Sequence, residues 1–357
     1  MVASPSKLKE YGLLINGQTQ PAADGRTFDT VSPTTNAPIA SVALGGITDA
    51  EAAIRAARTA FDVGPWPKAT PLERCRTLNR IATILRERID EIATLETLNC
   101  GKIIVESRAD VNASANCFEY YGNLATQIWG EQIPMNGPLL DYTLREPVGV
   151  CAQIVPWNFP LLMAAWKVAP AIAAGNTVVL KPASATPLTA ILLGEICRDA
   201  GVPDGVVNVI TGPGGEVGEA LVCSPLVDKV AFTGETETGR RIMAMAAGTI
   251  KKVTLELGGK SPNIVFPDAD IDEAINGSLF AIFANAGQRC TARTRLFLHR
   301  EIYDAFASGF VAKAQQIRVG DPLDYQTQMG PVISPQQRDR VLGYCEIAQE
   351  DGATLLS

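Results

Sequence analysis

The run VGVCAQIV, residues 148–155, decides how the rest of the chain is read. It is short, rich in β-branched residues and bounded by glycine and proline, which is the pattern of a buried strand. Three more runs of the same kind follow it: NTVVLKPA (176–183), GVVNVITG (205–212) and DKVAFTG (228–234). Helical stretches separate them, such as residues 187–200, which Gly201 terminates. Strands alternating with helices form parallel βαβ units, and such sheets bind ligands beyond the carboxyl ends of their strands. An α/β chain is therefore expected.

Upstream, GLLING (12–17) reads as a short strand, and Thr48-x-x-Glu51 and Thr70-Pro71-x-Glu73 each read as a capping box that opens a helix. In the second helix Leu72, Cys75, Leu78, Ala82 and Leu85 recur at helical spacing, which places Cys75 in the core. Gly101 stops the helix after it. Residues 131–147 hold two extended pieces around a Pro/Gly/Asn turn and read as a projecting hairpin. Downstream, NIVF (263–266) and TRLFLH (294–299) are strands, with helices near 270–284 and 301–316.

At 357 residues and 46% hydrophobic content the chain can build a large core. Its net charge of −7, without a basic cluster, gives no footprint for nucleic acid or for anionic membranes. The longest apolar stretch, residues 159–175, is broken by Lys167 and Pro170 and is too short to span a bilayer. The N-terminal MVASPSKLKEYG lacks the apolar centre of a signal peptide, so a cytoplasmic location is expected. Eight cysteines are scattered without a C-x-x-C pair, which argues for free thiols over disulfides or a zinc site, and no metal is expected. The single histidine, His299, rules out His-rich sites and is the only residue that Cys-His chemistry could use.

Several stretches pair glycines or arginines with a reactive side chain. In NAGQRCTARTR (285–295), Cys290 is either a packed small hydrophobe or a nucleophile whose thiolate the neighbouring arginines favour. Asn158 in VPWNFP (155–160) is either an Asx-turn residue or an amide that donates to an oxyanion. Lys181 ends a strand where a nucleotide could sit, or is solvated. In AFTGETETG (231–239), Gly234 and Gly239 open a helix whose N–H groups could face a phosphate. Glu256 in LELGGKSP (255–262) is expected to be buried, as a general base or in an ion pair.

Taken together, VPWNFP, KPA, FTG-x-x-x-x-G, LELGGKSPNIVF and AGQRCTARTR resemble, in order and spacing, the aldehyde dehydrogenase superfamily, from about residue 10 onward, and most of all its non-acylating betaine-aldehyde and aminoaldehyde members. The resemblance implies a Rossmann-like cofactor domain (1–130 and 148–255), an oligomerisation hairpin (131–147) and a catalytic domain (256–357). It implies NAD- or NADP-dependent oxidation of an aldehyde to a carboxylic acid by a homodimer or homotetramer. Cys290 would be the nucleophile, Asn158 the oxyanion donor and Glu256 the base for thioester hydrolysis. Lys181, Ser184, Gly234, Gly239, Ile154 and Trp157 would line the cofactor site, and Met163 and Trp166 the substrate tunnel.

Three departures qualify the expectation. Ser184 stands where many NAD-preferring members carry a glutamate, which leaves room for a 2′-phosphate. Glu235 stands where many have serine, and would repel a phosphate unless it turned to solvent or to Arg240. Family members continue well beyond Ser357, so the catalytic domain is expected to be incomplete; the alternative function is a non-catalytic fragment that keeps the fold and cofactor binding.

Overall fold

The structure is a computed structural model that describes residues 8–357. Residues 1–7, on which much of the reading of the N-terminus rests, lie outside the described residues.

All four runs that set the fold are strands: Val150–Ile154, Thr177–Lys181, Val207–Val209 and Lys229–Gly234. A fifth, Lys252–Leu257, joins them, and all neighbouring pairs among the five are parallel. From one edge the order runs 252–257, 229–234, 150–154, 177–181, 207–209. The chain thus builds outward from Val150–Ile154 in one direction, then returns and builds in the other. A crevice opens where the direction reverses, between Val150–Ile154 and Lys229–Gly234. On the far side the predicted strand Leu13–Ile15 pairs antiparallel with Val207–Val209, and Gln18–Gln20 completes a seven-stranded sheet.

Both faces of the sheet are covered, which is why its central strands read as continuous apolar runs. Val178, Leu180, Val207 and Val209 pack with the helices Pro71–Glu87, Ile104–Leu124, Pro160–Ala173 and Leu188–Asp199. Val150, Ala152, Val179, Val230 and Phe232 face the helices Ile47–Asp62 and Thr236–Ala247. Each such buried Val, Leu or Phe side chain contributes about 1.5–3 kcal/mol of transfer free energy.

Local signals are met unevenly. Thr70 and Glu73 form the expected capping box, with the Glu73 carboxylate accepting the Thr70 N–H at 2.7 Å. Gly101 ends the helix Ile89–Cys100 in the left-handed conformation. The Thr48/Glu51 box does not form: the first helix starts at Ile47, and Asp49 reaches back to the Gly46 N–H at 3.0 Å. The acidic third residue of the helix does the capping, two residues earlier than expected. Cys75 is only half-buried and Leu72 is exposed; the inward face carries Leu78, Ile81, Ala82 and Leu85.

The hairpin is present as Gln132–Ile133 paired with Asp141–Tyr142. It exposes Met135, Leu139, Leu140, Tyr142 and Leu144. Beyond the large sheet, Pro262–Val265 pairs in parallel with Arg295–Leu298, and the helices Ile271–Phe283 and Tyr303–Ala314 share a separate apolar cluster of Val265, Ile275, Ile302 and Phe306. The strand Lys252–Leu257 belongs to the large sheet throughout, so the expected domain boundary after residue 255 falls inside it. Among the described residues no helix is long and apolar enough to cross a membrane.

Candidate functional site

The crevice at the strand-order reversal holds a cavity of about 220 Å³, lined by Ile154, Gly214, Gly215, Gly218, Phe232 and Arg241 among others. Ile154 and Phe232 enter from the two flanking strands. The glycines come from the loop after Val207–Val209, and open space lies where side chains at 214 and 215 would be. This loop, TGPGGEVGE (211–219), was missed in the sequence, although glycines between a strand and a helix are the available signal.

Lys181 is not solvated. Only 4% exposed, it lies with its stem beside Gly218 and Ile154. Burial lowers its ammonium to about 8. It donates to one acceptor, the Pro182 carbonyl at 3.2 Å, and so keeps two donors for a ligand. Ser184 is exposed and its hydroxyl donates to the Gly212 carbonyl at 3.2 Å.

Gly234 ends its strand, with the Phe232 ring 2.4 Å from where a Cβ would lie. Gly239 is not at the helix start. It is the fourth residue of Thr236–Ala247, its N–H is spent on the Glu235 carbonyl, and it is buried against Leu257. Its place is one of close helix-to-strand packing; the free N–H groups belong to the residues before it. Glu235 is exposed and turns to Arg340, 3.7 Å away, while Arg240 pairs with Glu237.

Asn158, half-buried after the strand Val150–Ile154, meets the cysteine loop directly. Its side-chain amide donates to the Gln288 carbonyl at 2.8 Å, and the Asn285 amide donates to the Asn158 carbonyl at 3.0 Å. Cys290, two residues on, is exposed, so the packed alternative does not hold. Its carbonyl lies 3.8 Å from a would-be Cβ of Gly259, three residues past Glu256. The arginines have other partners: Arg289 lies over the Phe280 ring, and Arg295 over Phe297 while donating to the Lys260 carbonyl at 2.7 Å.

Glu256 corrects an expectation, because it is exposed. On its strand Val253, Leu255 and Leu257 are turned toward the core and Lys252, Thr254 and Glu256 outward. Glu256 lines a second cavity, about 440 Å³, together with Met163, Trp166, Lys167, Gln153 and Thr233. Met163 is nearly buried and Trp166 is 55% exposed. Among the described residues the buried Gln153 Oε1 and Thr233 Oγ1 have no hydrogen-bond partner, and burial lowers Lys167 to about 8. Trp157, which precedes Asn158, is half-buried and lines neither cavity. His299 is exposed and caps the turn Arg300–Ile302, its Nδ1 accepting the Glu301 N–H at 3.4 Å.

The model of the aldehyde dehydrogenase family matches residues 20–357. The chain is 48% identical over 346 residues to an aldehyde dehydrogenase of Alternaria alternata, covering 96% of this chain and 69% of that one. It is 45% identical to a betaine aldehyde dehydrogenase of Bacillus subtilis, covering 96% and 70%. Among solved structures, the NAD+ complex of an aldehyde dehydrogenase from Bacillus cereus superposes with a TM-score of 0.96 at 43% identity, over 98% of this chain and 71% of that one. The chain thus spans about 70% of the length of these relatives. A single family match over nearly the whole chain, at this level of identity and with the same fold, shows that the chain belongs to the aldehyde dehydrogenase family.

Proposed function

We propose that the chain oxidises an aldehyde to a carboxylic acid with NAD or NADP, using Cys290 as nucleophile, Asn158 as oxyanion donor and Glu256 as general base. The observation that carries this reading is the contact of the Asn158 amide with the Gln288 carbonyl, which joins the expected oxyanion donor to the loop of the expected nucleophile. The residues present suit a dinucleotide. Open backbone at Gly214 and Gly215, the apolar walls Ile154 and Phe232, and a buried ammonium at Lys181 with donors to spare form a cradle at the usual place for one. In this reading Trp157, Ser184 and Gly234 complete its surroundings, and Gly239 contributes by letting the helix Thr236–Ala247 pack closely on Leu257.

The sulfur anion of Cys290 attacks the carbonyl carbon, a C–S bond forms and the carbonyl electron pair moves to oxygen. The Asn158 amide and the Cys290 N–H hold that oxygen's charge. A bound nicotinamide dinucleotide supplies the two-electron oxidant that converts the adduct to a thioester. Glu256 then takes a proton from water as the water oxygen attacks the thioester carbon, the C–S bond breaks and the thiolate returns. In this reading an exposed Glu256 serves well, since its water enters from an open cavity.

The aldehyde enters past Met163 and Trp166. A cationic aldehyde such as betaine aldehyde or an aminoaldehyde would find the Trp166 face, though Lys167 and Lys229 line the same cavity. We further read residues 1–130 and 148–255, with the end of the last strand, as the cofactor domain, residues after Leu257 as the catalytic domain, and the apolar hairpin 131–147 as the surface for homodimer or homotetramer assembly. The free thiols support a reducing, cytoplasmic setting. The test is to incubate the purified chain with NAD or NADP and a panel of neutral and cationic aldehydes, following reduced-nicotinamide absorbance. Turnover that disappears in Cys290→Ser supports the reading. Cofactor binding without turnover supports the non-catalytic alternative instead.

A further inference from the structure

The loop that carries Cys290 is held in an unusual backbone state by a residue 179 positions earlier. Asn285 and Ala286 both have left-handed dihedrals, φ 52° and 53°, and Gly287 follows at φ 76°. A Cβ makes that conformation costly, and Ala286 has no polar side chain with which to offset it. Something in the surroundings must therefore hold the turn. The Glu106 carboxylate accepts the Asn285 N–H through both oxygens, at 3.1 Å each.

Glu106 sits in the first turn of the helix Ile104–Leu124. Two residues before that helix, Lys102 is fully buried, pairs with Asp110 and lies 3.8 Å from the centre of the Phe159 ring. One helix start thus fixes both halves of the site, Phe159 beside Asn158 and Asn285 ahead of Cys290. The Asn285 amide then reaches the Asn158 carbonyl, and Gln288 returns to the Asn285 carbonyl at 3.1 Å. None of the family's expected site residues is used to build this clasp, apart from Asn158 at its end.

Resting on the reading of Cys290 and Asn158 above, we propose that Glu106 is a positioning residue, whose carboxylate holds the left-handed turn at Asn285–Ala286 and so sets the Cys290 sulfur against the Asn158 amide. Glu106 touches no reacting atom; it acts through the loop.

The test compares Glu106→Leu and Glu106→Gln, alone and with Ala286→Gly, in the full chain. Glutamine keeps an acceptor oxygen, and glycine makes left-handed backbone inexpensive. Glu106→Leu is expected to lower kcat on the order of 100-fold, the effect of a displacement of about 1 Å at a reacting group, with KM within about threefold. Glu106→Gln should stay within about tenfold of the parent. Adding Ala286→Gly to Glu106→Leu should restore roughly tenfold, because the turn no longer needs the carboxylate to the same degree. Hydrogen exchange of the peptide spanning Asn285 to Cys290 should speed up in Glu106→Leu and does not depend on turnover. If the parent turns over nothing, the proposed function fails while exchange still reports on the clasp. Unchanged exchange in Glu106→Leu, equal losses in the Leu and Gln variants, or no rescue by glycine overturns the proposal. Should Glu106→Leu fail to fold, Glu106→Gln and Ala286→Gly are read by the same exchange measurement: Glu106→Gln must loosen the peptide measurably, or the proposal falls.

Discussion

A Cβ on Gly239 would stand 2.8 Å from Cδ2 of Leu257, so the helix Thr236–Ala247 lies on the last parallel strand with no room for a side chain between them. The obstructing atom is the end of a flexible, half-buried side chain, and alanine gains about 1 kcal/mol of helix propensity over glycine. Gly239→Ala should therefore change stability by less than about 1 kcal/mol. Gly239→Val cannot be absorbed in this way and should cost about 1–3 kcal/mol. Urea unfolding of both variants checks this, and a neutral valine would show that the helix can move off the strand at little cost.

Burial at Lys181 has a pH signature. The ammonium falls from 10.5 to about 8 in the folded chain. Between these values the unfolded chain holds the extra proton, so stability rises with pH from about 8 to 10.5, and below 8 the native state bears the cost of a buried charge. Lys181→Met should raise stability at pH 7, by up to about 3 kcal/mol, and should flatten the rise. Lys167, also lowered to about 8 by burial, titrates in the same window, so the slope should shrink without vanishing. Unfolding curves at pH 7, 8.5 and 10 would decide; a destabilised variant at pH 7 contradicts the argument.

Glu256→Gln should separate the two halves of the proposed chemistry. Without a base, hydrolysis of the thioester should slow by about 10²–10⁴ while its formation is spared. One rapid turnover should then precede a stall, and mass spectrometry should find an acyl group on Cys290. His299→Ala should leave turnover within about twofold, because His299 caps an exposed turn. A large loss in His299→Ala would favour cysteine–histidine chemistry instead.

Ser184 should influence which dinucleotide is accepted. A carboxylate placed there, in Ser184→Glu, would face a 2′-phosphate as a like charge, at a cost of roughly 1 kcal/mol or more. The ratio of kcat/KM for NADP to that for NAD should fall at least about fivefold. An unchanged ratio would remove Ser184 from the cofactor site.

The architecture was legible where strand signals were strong. The β-branched runs at 148–155, 176–183, 205–212 and 228–234 are strands because they are buried on both faces, and double burial leaves a continuous apolar signature. KVTLEL (252–257) shows the opposite case. Its strict alternation marks an edge strand with one open face, and reading that period would have placed Glu256 outside. Cys290, Asn158 and Lys181 were found by motif, but the burial of Lys181 and the exposure of Cys290 depend on which elements cover them. The clasp from Glu106 to Asn285 leaves no local trace, because its partners are separated by most of the sheet. Two successive left-handed residues at Asn285–Ala286 also defy propensity, since alanine gives no hint of positive φ.

The sheet also fixes an order of assembly during synthesis. Leu14 is paired with Thr19 on one edge and with Val209 on the other, so its second edge has no partner until about 195 more residues have emerged. At ribosomal rates that interval is on the order of 10–40 s. Throughout it the apolar Leu13–Ile15 keeps one open edge, and a chaperone that shields nascent chains has its natural client in that segment.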